Sequence, residues 1–400
     1  MKASATYVRV AGSRSLLVGA AVLGVSSVAF FRVPLLPGIG VSLHIRPGLL
    51  SLVTVVFGVG RLAADVPAGR LADRVAAQYA LAGAGLVMGL GSFLLAAAGS
   101  LGILLAAAAV LGVASSVANT TGMTFFSRAP AGRRGTSMAI YAASLLGGQS
   151  LGPAVSGVVS GAAGWRTAEV LGGVAVIAVA ACCGALGSGA GEVDASAFAG
   201  SAHRRLPRVQ RLLLYAVPFS VMFALGAMPQ TVVPLIGAHG YGLSVGAIGL
   251  TLGLGGLCRF VGAAVGGVAA DRYSRKGSLL PGLALMSGGI ALLAAHGGKA
   301  LFVLAVSLMS LGSYGVTVAA TMLADLGGTG MGRRLGTFRF VGDLGLIAGP
   351  LAAGTVYDLA GTRASVLLVA AVLALCAFSA GLLLPETKHL EGDLAIETVG

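Results

Sequence analysis

Apolar residues run along this chain in long unbroken blocks, rather than alternating as in strands or recurring on one face of a helix. About 20 apolar residues carry a helix across the ~30 Å of hydrocarbon in a bilayer, and twelve blocks come close to or exceed that length. In the first half they cover roughly residues 14–36, 48–68, 79–98, 101–125, 137–161 and 167–188. In the second half they cover roughly 211–236, 244–270, 278–295, 299–322, 337–358 and 364–384. A basic, Gly/Ala/Ser-rich stretch over 189–210, with His203, Arg204, Arg205 and Arg208, parts the two sets of six. The pattern predicts an all-α membrane protein with twelve transmembrane helices in two six-helix halves. The halves are 1–188 and 211–384, joined by a cytoplasmic linker and followed by a cytoplasmic tail over 385–400.

Composition agrees. Charged residues make up 10% and hydrophobic ones 56%, against about 25% charged in a soluble domain. The 65 glycines suit helices that pack closely in lipid. A net charge of +13 invites a nucleic-acid reading, but its distribution argues for topology. Of 26 Lys and Arg, 19 fall on the side that holds both termini, four on the other side, and three (Arg32, Arg61, Arg259) inside spans. Such an excess marks the cytoplasmic side, so both termini are expected inside, in a plasma (inner) membrane. Arg outnumbers Lys 22 to 4, which favours a bacterial source.

The remaining chemistry is spare. Cys182, Cys183, Cys258 and Cys376 all lie in apolar stretches, with neither a disulfide framework nor zinc spacing. No catalytic triad, metal cluster or phosphate-cradling loop stands in register. The expectation is therefore no enzyme, no metal and no cofactor, with the proton gradient as driving force. The first apolar block is too long for a cleavable signal and is read as a span.

The halves repeat each other. Gly148, Gly152, Pro153, Gly157, Gly164 and Arg166 recur 197 residues later as Gly345, Gly349, Pro350, Gly354, Gly361 and Arg363. Arg61, Asp73 and Arg74 recur 198 residues later as Arg259, Asp271 and Arg272. Two duplicated halves are a known transporter plan, with the substrate site near the midplane.

Gly69-Arg70-Leu71-Ala72-Asp73-Arg74, after span two, resembles the loop signature of the major facilitator superfamily. Its second copy, Gly267 to Lys276 with Asp271, Arg272 and Arg275, is the fuller match; the first has Ala76-Ala77-Gln78 where the family usually places glycine and basic residues. The resemblance assigns these loops to gating, with the glycines allowing close helix packing. Gly148-x-x-x-Gly152-Pro153-x-x-x-Gly157 resembles the motif of proton-coupled antiporters. Its recurrence in span eleven also fits plain small-residue packing. Pro34-Leu-Leu-Pro37 looks like the drug-efflux branch, and Pro385-Glu386-Thr387-Lys388 like the close of sugar-transporter-like members. Together the motifs stand closest to the twelve-helix drug:proton antiporters, which implies two halves rocking about a central site.

Charges inside the spans are functional candidates by default. Arg61 lies 12 residues before Asp73, about 18 Å along the helix and so near the midplane. Arg259 has the matching place. Asp65 follows Arg61 by one turn, a spacing open to an ion pair. Asp343 in span eleven follows Arg339 by one turn. In the family, spans two and eleven meet, so the resemblance leaves two readings. Arg61, Asp65, Arg339 and Asp343 form a structural network, or one of the aspartates carries the proton. Arg259 has no acid within a turn and awaits either a substrate anion or a carboxylate from another helix. On the spans that line the family's cavity stand Asn119, Thr120, Thr121, Gln149, Gln230, Thr231, Tyr314 and Thr317; each is equally suited to a helix-to-helix hydrogen bond. Trp165, the only tryptophan, reads as an interfacial anchor. The expected partners are a small-molecule substrate, protons and lipid, with no nucleic acid and a monomeric state. Two transport readings follow: proton-coupled export of small drug-like molecules, or uptake of an organic anion.

Overall fold

The computed structural model describes residues 2–128, 134–186, 207–295, 297–326 and 331–387. Most of the linker, the tail from Lys388 onward, and Arg133, Arg204 and Arg205 lie outside the described residues. Every regular element described is helical: α1 (Lys2–Ala29), α2 (Arg32–Ser42), α3 (Ser51–Arg74), α4 (Ala77–Ala96), α5 (Leu101–Ser127), α6 (Arg134–Ala163) and α7 (Trp165–Leu186). They continue as α8 (Arg208–Ala227), α9 (Val233–Leu235), α10 (Val245–Arg272), α11 (Arg275–Leu292), α12 (Lys299–Gly312), α13 (Gly315–Asp325) and α14 (Met331–Leu383). Among the described residues, nine helical stretches are long and apolar enough to cross a membrane.

Local chemistry explains where the helices depart from the sequence blocks. The first span is broken at Phe30–Phe31 and then continues to Ser42, six residues past its expected end. Pro34 has no N–H for the carbonyl of Phe30, which instead accepts from Val33 N at 3.2 Å. The seventh span widens into π-helical turns over Met228–Val232 and Ile236–Gly240. There the Thr231 hydroxyl serves the carbonyl of Gly226 at 3.1 Å. Within α14, Gly361 adopts φ +80 and marks a kink between two helices. Its sequence counterpart, Gly164, adopts φ +84 between α6 and α7. The same left-handed glycine turns the chain at the same place in each half.

The duplicated glycine motif has one structural job in both copies. A Cβ on Gly148 would stand 2.5 Å from the Leu23 carbonyl of α1, and one on Gly152 would overlap the Ser27 carbonyl. In the second copy Gly345 and Gly349 press against the carbonyls of Phe219 and Phe223 on α8. The loop glycines correct an expectation: no atom lies within 4 Å of a Cβ built on Gly69 or Gly267, so neither permits a close approach.

The contacts group into two compact units. The first holds Met1–Arg46, Val56–Ala195 and Gly242–Gly256; the second holds Pro47–Val55, Ser196–Tyr241 and Leu257–Gly400. These differ from the sequence halves at two short segments that correspond in the repeat. In the second unit, Gly48 N donates to Asp358 Oδ1 at 2.9 Å and Thr54 Oγ1 to the Gln230 carbonyl at 3.2 Å. In the first unit, Ser150 Oγ donates to the Gly253 carbonyl at 2.6 Å, and Gly157 faces Gly249 backbone to backbone.

Candidate functional site

The first unit buries a pair of opposite charges that the sequence reading left aside. Arg32 on α2 and Glu169 on α7 are both 0% exposed. Gly164 ends α6, and α7 starts at Trp165. Arg166 then pins this start to the end of α4, donating to the carbonyls of Ala96 at 3.1 Å and Ala98 at 3.0 Å. Its guanidinium also lies 4.4 Å from the Trp165 ring centre. One turn further in, Glu169 faces the core.

Arg32 enters from the break in the first span. It donates to the carbonyl of Ala29 and lies 3.9 Å from the ring centre of Phe57 on α3. Arg32 and Glu169 feel each other's charge, and Arg61 acts on Arg32 in turn. Ser92 of α4 lies beside the Glu169 carboxylate. Its hydroxyl is placed to donate to the carboxylate, although the contact falls short of a well-formed hydrogen bond.

The predicted residues fall as follows. Arg61 and Asp65 sit half-buried on α3 of the first unit, and Ser116 of α5 donates a hydrogen bond to Asp65 Oδ1. On α14 of the second unit, Arg339 is half-buried and Asp343 only 5% exposed. Arg259 is half-buried on α10. Asn119 is buried, with its carbonyl accepting from Tyr141 at 3.2 Å. Gln149 is half-buried, and Thr317 is exposed. Gln230 and Thr231 are buried in the π turns, bonded to carbonyls five residues back. The Tyr314 ring wedges against Gly266 of α10 and Gly282 of α11.

The loop motifs carry ion pairs. Asp73 pairs with Arg128 at the end of α5, 2.9 Å away. In the second copy Asp271 pairs with Arg275, which also reaches Asp325 at the end of α13, 3.0 Å away. The first copy lacks a base at Ala77, and Arg128 supplies one from the neighbouring helix. Burial works against the charge on Arg275, but Asp271 and Asp325 outweigh it and hold the guanidinium above the ordinary arginine value. The segment after α14 completes the cluster. Glu386 accepts from the backbone of Arg275 at 2.9 Å and of Lys276 at 3.1 Å, at the start of α11. There its charge also suits the helix dipole. Thr387 Oγ1 donates to Asp325 at 2.9 Å.

Arg275→Ala is expected to lower thermal stability in detergent clearly, by about 2–4 kcal/mol. That is somewhat below the 3–5 for breaking a fully buried pair, because Arg275 and Asp325 keep 13% and 8% side-chain exposure. Arg74→Ala, on an exposed side chain, leaves stability unchanged. Equal melting curves for the two variants would dismiss the cluster as a stabilising element.

The comparisons with known proteins bear on the whole chain. The sequence profile of the Major Facilitator Superfamily matches residues 16–257 and again 217–397. None of the curated proteins matches. Two solved structures of a bacterial homologue of the human lysosomal transporter Spinster share the fold at 13% identity. The inward-facing, unoccupied form gives a TM-score of 0.75, covering 93% of this chain and 96% of that one. The inward-facing, occupied form gives 0.77, covering 92% and 95%. Long apolar helices, a duplicated plan and a profile match over nearly the full length together establish an integral membrane transporter: the chain belongs to the major facilitator superfamily.

Proposed function

We propose that this transporter exports small, partly apolar molecules in exchange for protons, by alternating access. The observation that carries the reading is Asp65. Its carboxylate is on α3, a turn from Arg61 and near the middle of the span, where a charge is costly and rarely idle. It is half-buried and held by the Ser116 hydroxyl. Pro34-Leu-Leu-Pro37, similar to the drug-efflux branch, supports the direction. The solved inward-facing forms of the Spinster homologue, empty and occupied, support the alternating-access part of the reading. Twelve crossings follow when α6 and α11 join the nine stretches and α14 is divided at Gly361. The protein works as a monomer without a cofactor, with both termini on the cytoplasmic side of a bacterial inner membrane.

Proton-coupled uptake of an organic anion is the second reading. Arg61 and Arg259 favour it, as cations at matched places on α3 and α10.

Proteoliposomes carrying an imposed pH gradient decide between them, with dyes, drugs and small organic acids offered in turn. Drug-induced collapse of the gradient is expected in wild type, and a fall to the rate of protein-free liposomes in Asp65→Asn. Movement of organic acids alone would replace export by uptake.

A further inference from the structure

We propose that Glu169 is a second proton-binding site of this transporter, with Arg32 as the counter-charge that governs its occupancy across the break between α1 and α2. The proposal rests on the proton-coupled reading for its purpose, but its geometry belongs to the first unit alone.

The fold does not require an acid at this position. At the repeat offset of 197 residues Glu169 corresponds to Val366, which is 0% exposed. A buried aliphatic side chain therefore fills the equivalent place in the second half. Glu169 instead puts a fully buried carboxylate there, and neither of its oxygens has a well-formed hydrogen bond. A buried anion in such surroundings is costly, and taking up a proton removes the cost.

The groups facing Glu169 set a balance. From α2 comes the positive charge of Arg32, which favours the anion. Arg61, half-buried on α3, is a second cation in the same unit. From α4 comes the Ser92 hydroxyl, placed to donate to the carboxylate though without well-formed hydrogen-bond geometry. α4 and the described side chains of α1 and α6 bring no charged group. Tyr141 of α6 is engaged with Asn119, and Tyr79 stands thirteen residues before Ser92. On α7 itself, Arg166 is committed to the carbonyls ending α4. Burial disfavours the anion, while the Ser92 hydroxyl and the positive charge of Arg32 favour it, so the surroundings of Glu169 pull in opposite directions.

The break gives Arg32 a means to move. Around Phe30 and Phe31 the continuous helical ladder gives way to shorter bonds, Phe31 N to the Val28 carbonyl at 3.1 Å and Val33 N to that of Phe30 at 3.2 Å. The Phe31 carbonyl is taken by Ser156 of α6 at 2.9 Å. A change of bend here alters the separation of Arg32 from Glu169, so the carboxyl gains a proton as Arg32 withdraws and loses it as Arg32 returns. The competing account is a permanent ion pair that only ties α2 to α7.

The probe is the proton itself, so no substrate is needed. Purified protein in lipid nanodiscs is titrated from about pH 4.5 to 9. Infrared difference spectra follow the protonated carboxyl, and emission follows Trp165, the only tryptophan and one turn from Glu169. A step common to both signals is expected in wild type and in Asp65→Asn, and its loss is expected in Glu169→Gln. Arg32→Met moves the step to higher pH, since a nearby positive charge has gone, and serves if Glu169→Gln does not fold. No step in wild type, or a step that survives Glu169→Gln, overturns the proposal. A step that vanishes in Glu169→Gln while transport dissipates no pH gradient upholds the site and rejects the proton-coupled reading instead.

Discussion

Gly152→Leu is expected to abolish the folded protein, as is Gly349→Leu, whereas Gly69→Leu and Gly267→Leu are expected to fold. The first two glycines stand against backbone. A Cβ on Gly152 would overlap the Ser27 carbonyl and lie 3.1 Å from its Cα, and one on Gly349 would overlap the Phe223 carbonyl and lie 2.9 Å from its Cα. A side chain in the way turns aside, but a carbonyl within a helix does not. The whole of α6 must leave α1, or α14 must leave α8. Overpacking a core costs about 1–3 kcal/mol where side chains repack. Separating two helices costs more, out of a total stability of about 5–15 kcal/mol. At the loop glycines a Cβ meets nothing within 4 Å. Monodisperse yield and melting temperature in detergent check the contrast. A Gly152→Leu protein that purifies and melts like wild type would falsify the backbone contact.

The repeat was the most legible feature, because it rests on spacing alone. Residues 197 apart, Gly164 and Gly361, show the same left-handed turn. The glycine motif was open to two readings in the sequence, antiport or packing. Its two copies make the same backbone contact in the two units, so packing accounts for its presence in both. Helix ends were less legible where proline stands. Pro34 and Pro37 looked like the close of span one, yet the helix bends at Phe30 and continues through Pro37 to Ser42. The aspartates of the loop motifs were legible, but not their partners. Arg128 and Asp325 lie 55 and 54 residues from the aspartates whose loops they serve, at the ends of other helices.

Glu169 escaped notice for a similar reason. Four residues after Trp165, it stands only about 6 Å into the span by helical rise, a depth that reads as near the interface. Arg32 was visible inside span one, but nothing in a single sequence says that α2 meets α7. What sequence did offer was a contrast: Glu169 has no acidic counterpart in the repeat, where Arg61 has Arg259. A charge that breaks an otherwise repeated pattern is the signal to follow.

Arg32→Met should be strongly destabilising and still leave a folded protein. It strips Glu169 of its counter-charge, the Ala29 carbonyl of its donor, and Phe57 of its cation. Removing a cation near a buried carboxylate costs up to the ~3 kcal/mol at the low end for breaking a buried pair, less whatever Glu169 recovers by taking a proton. Replacing both members with apolar groups is a different matter, often neutral or stabilising. Val366 shows that this fold accommodates an aliphatic residue at the equivalent place. Arg32→Met/Glu169→Leu should therefore recover most of the loss, to within about 1–2 kcal/mol of wild type, and a double-mutant cycle of melting measurements reads the coupling. Should the double variant stay as unstable as Arg32→Met alone, the loss comes from the Ala29 carbonyl and Phe57, not from Glu169. If it folds well, holding α2 to α7 does not account for the two charges, and the titration followed at Trp165 in the wild type is what they add.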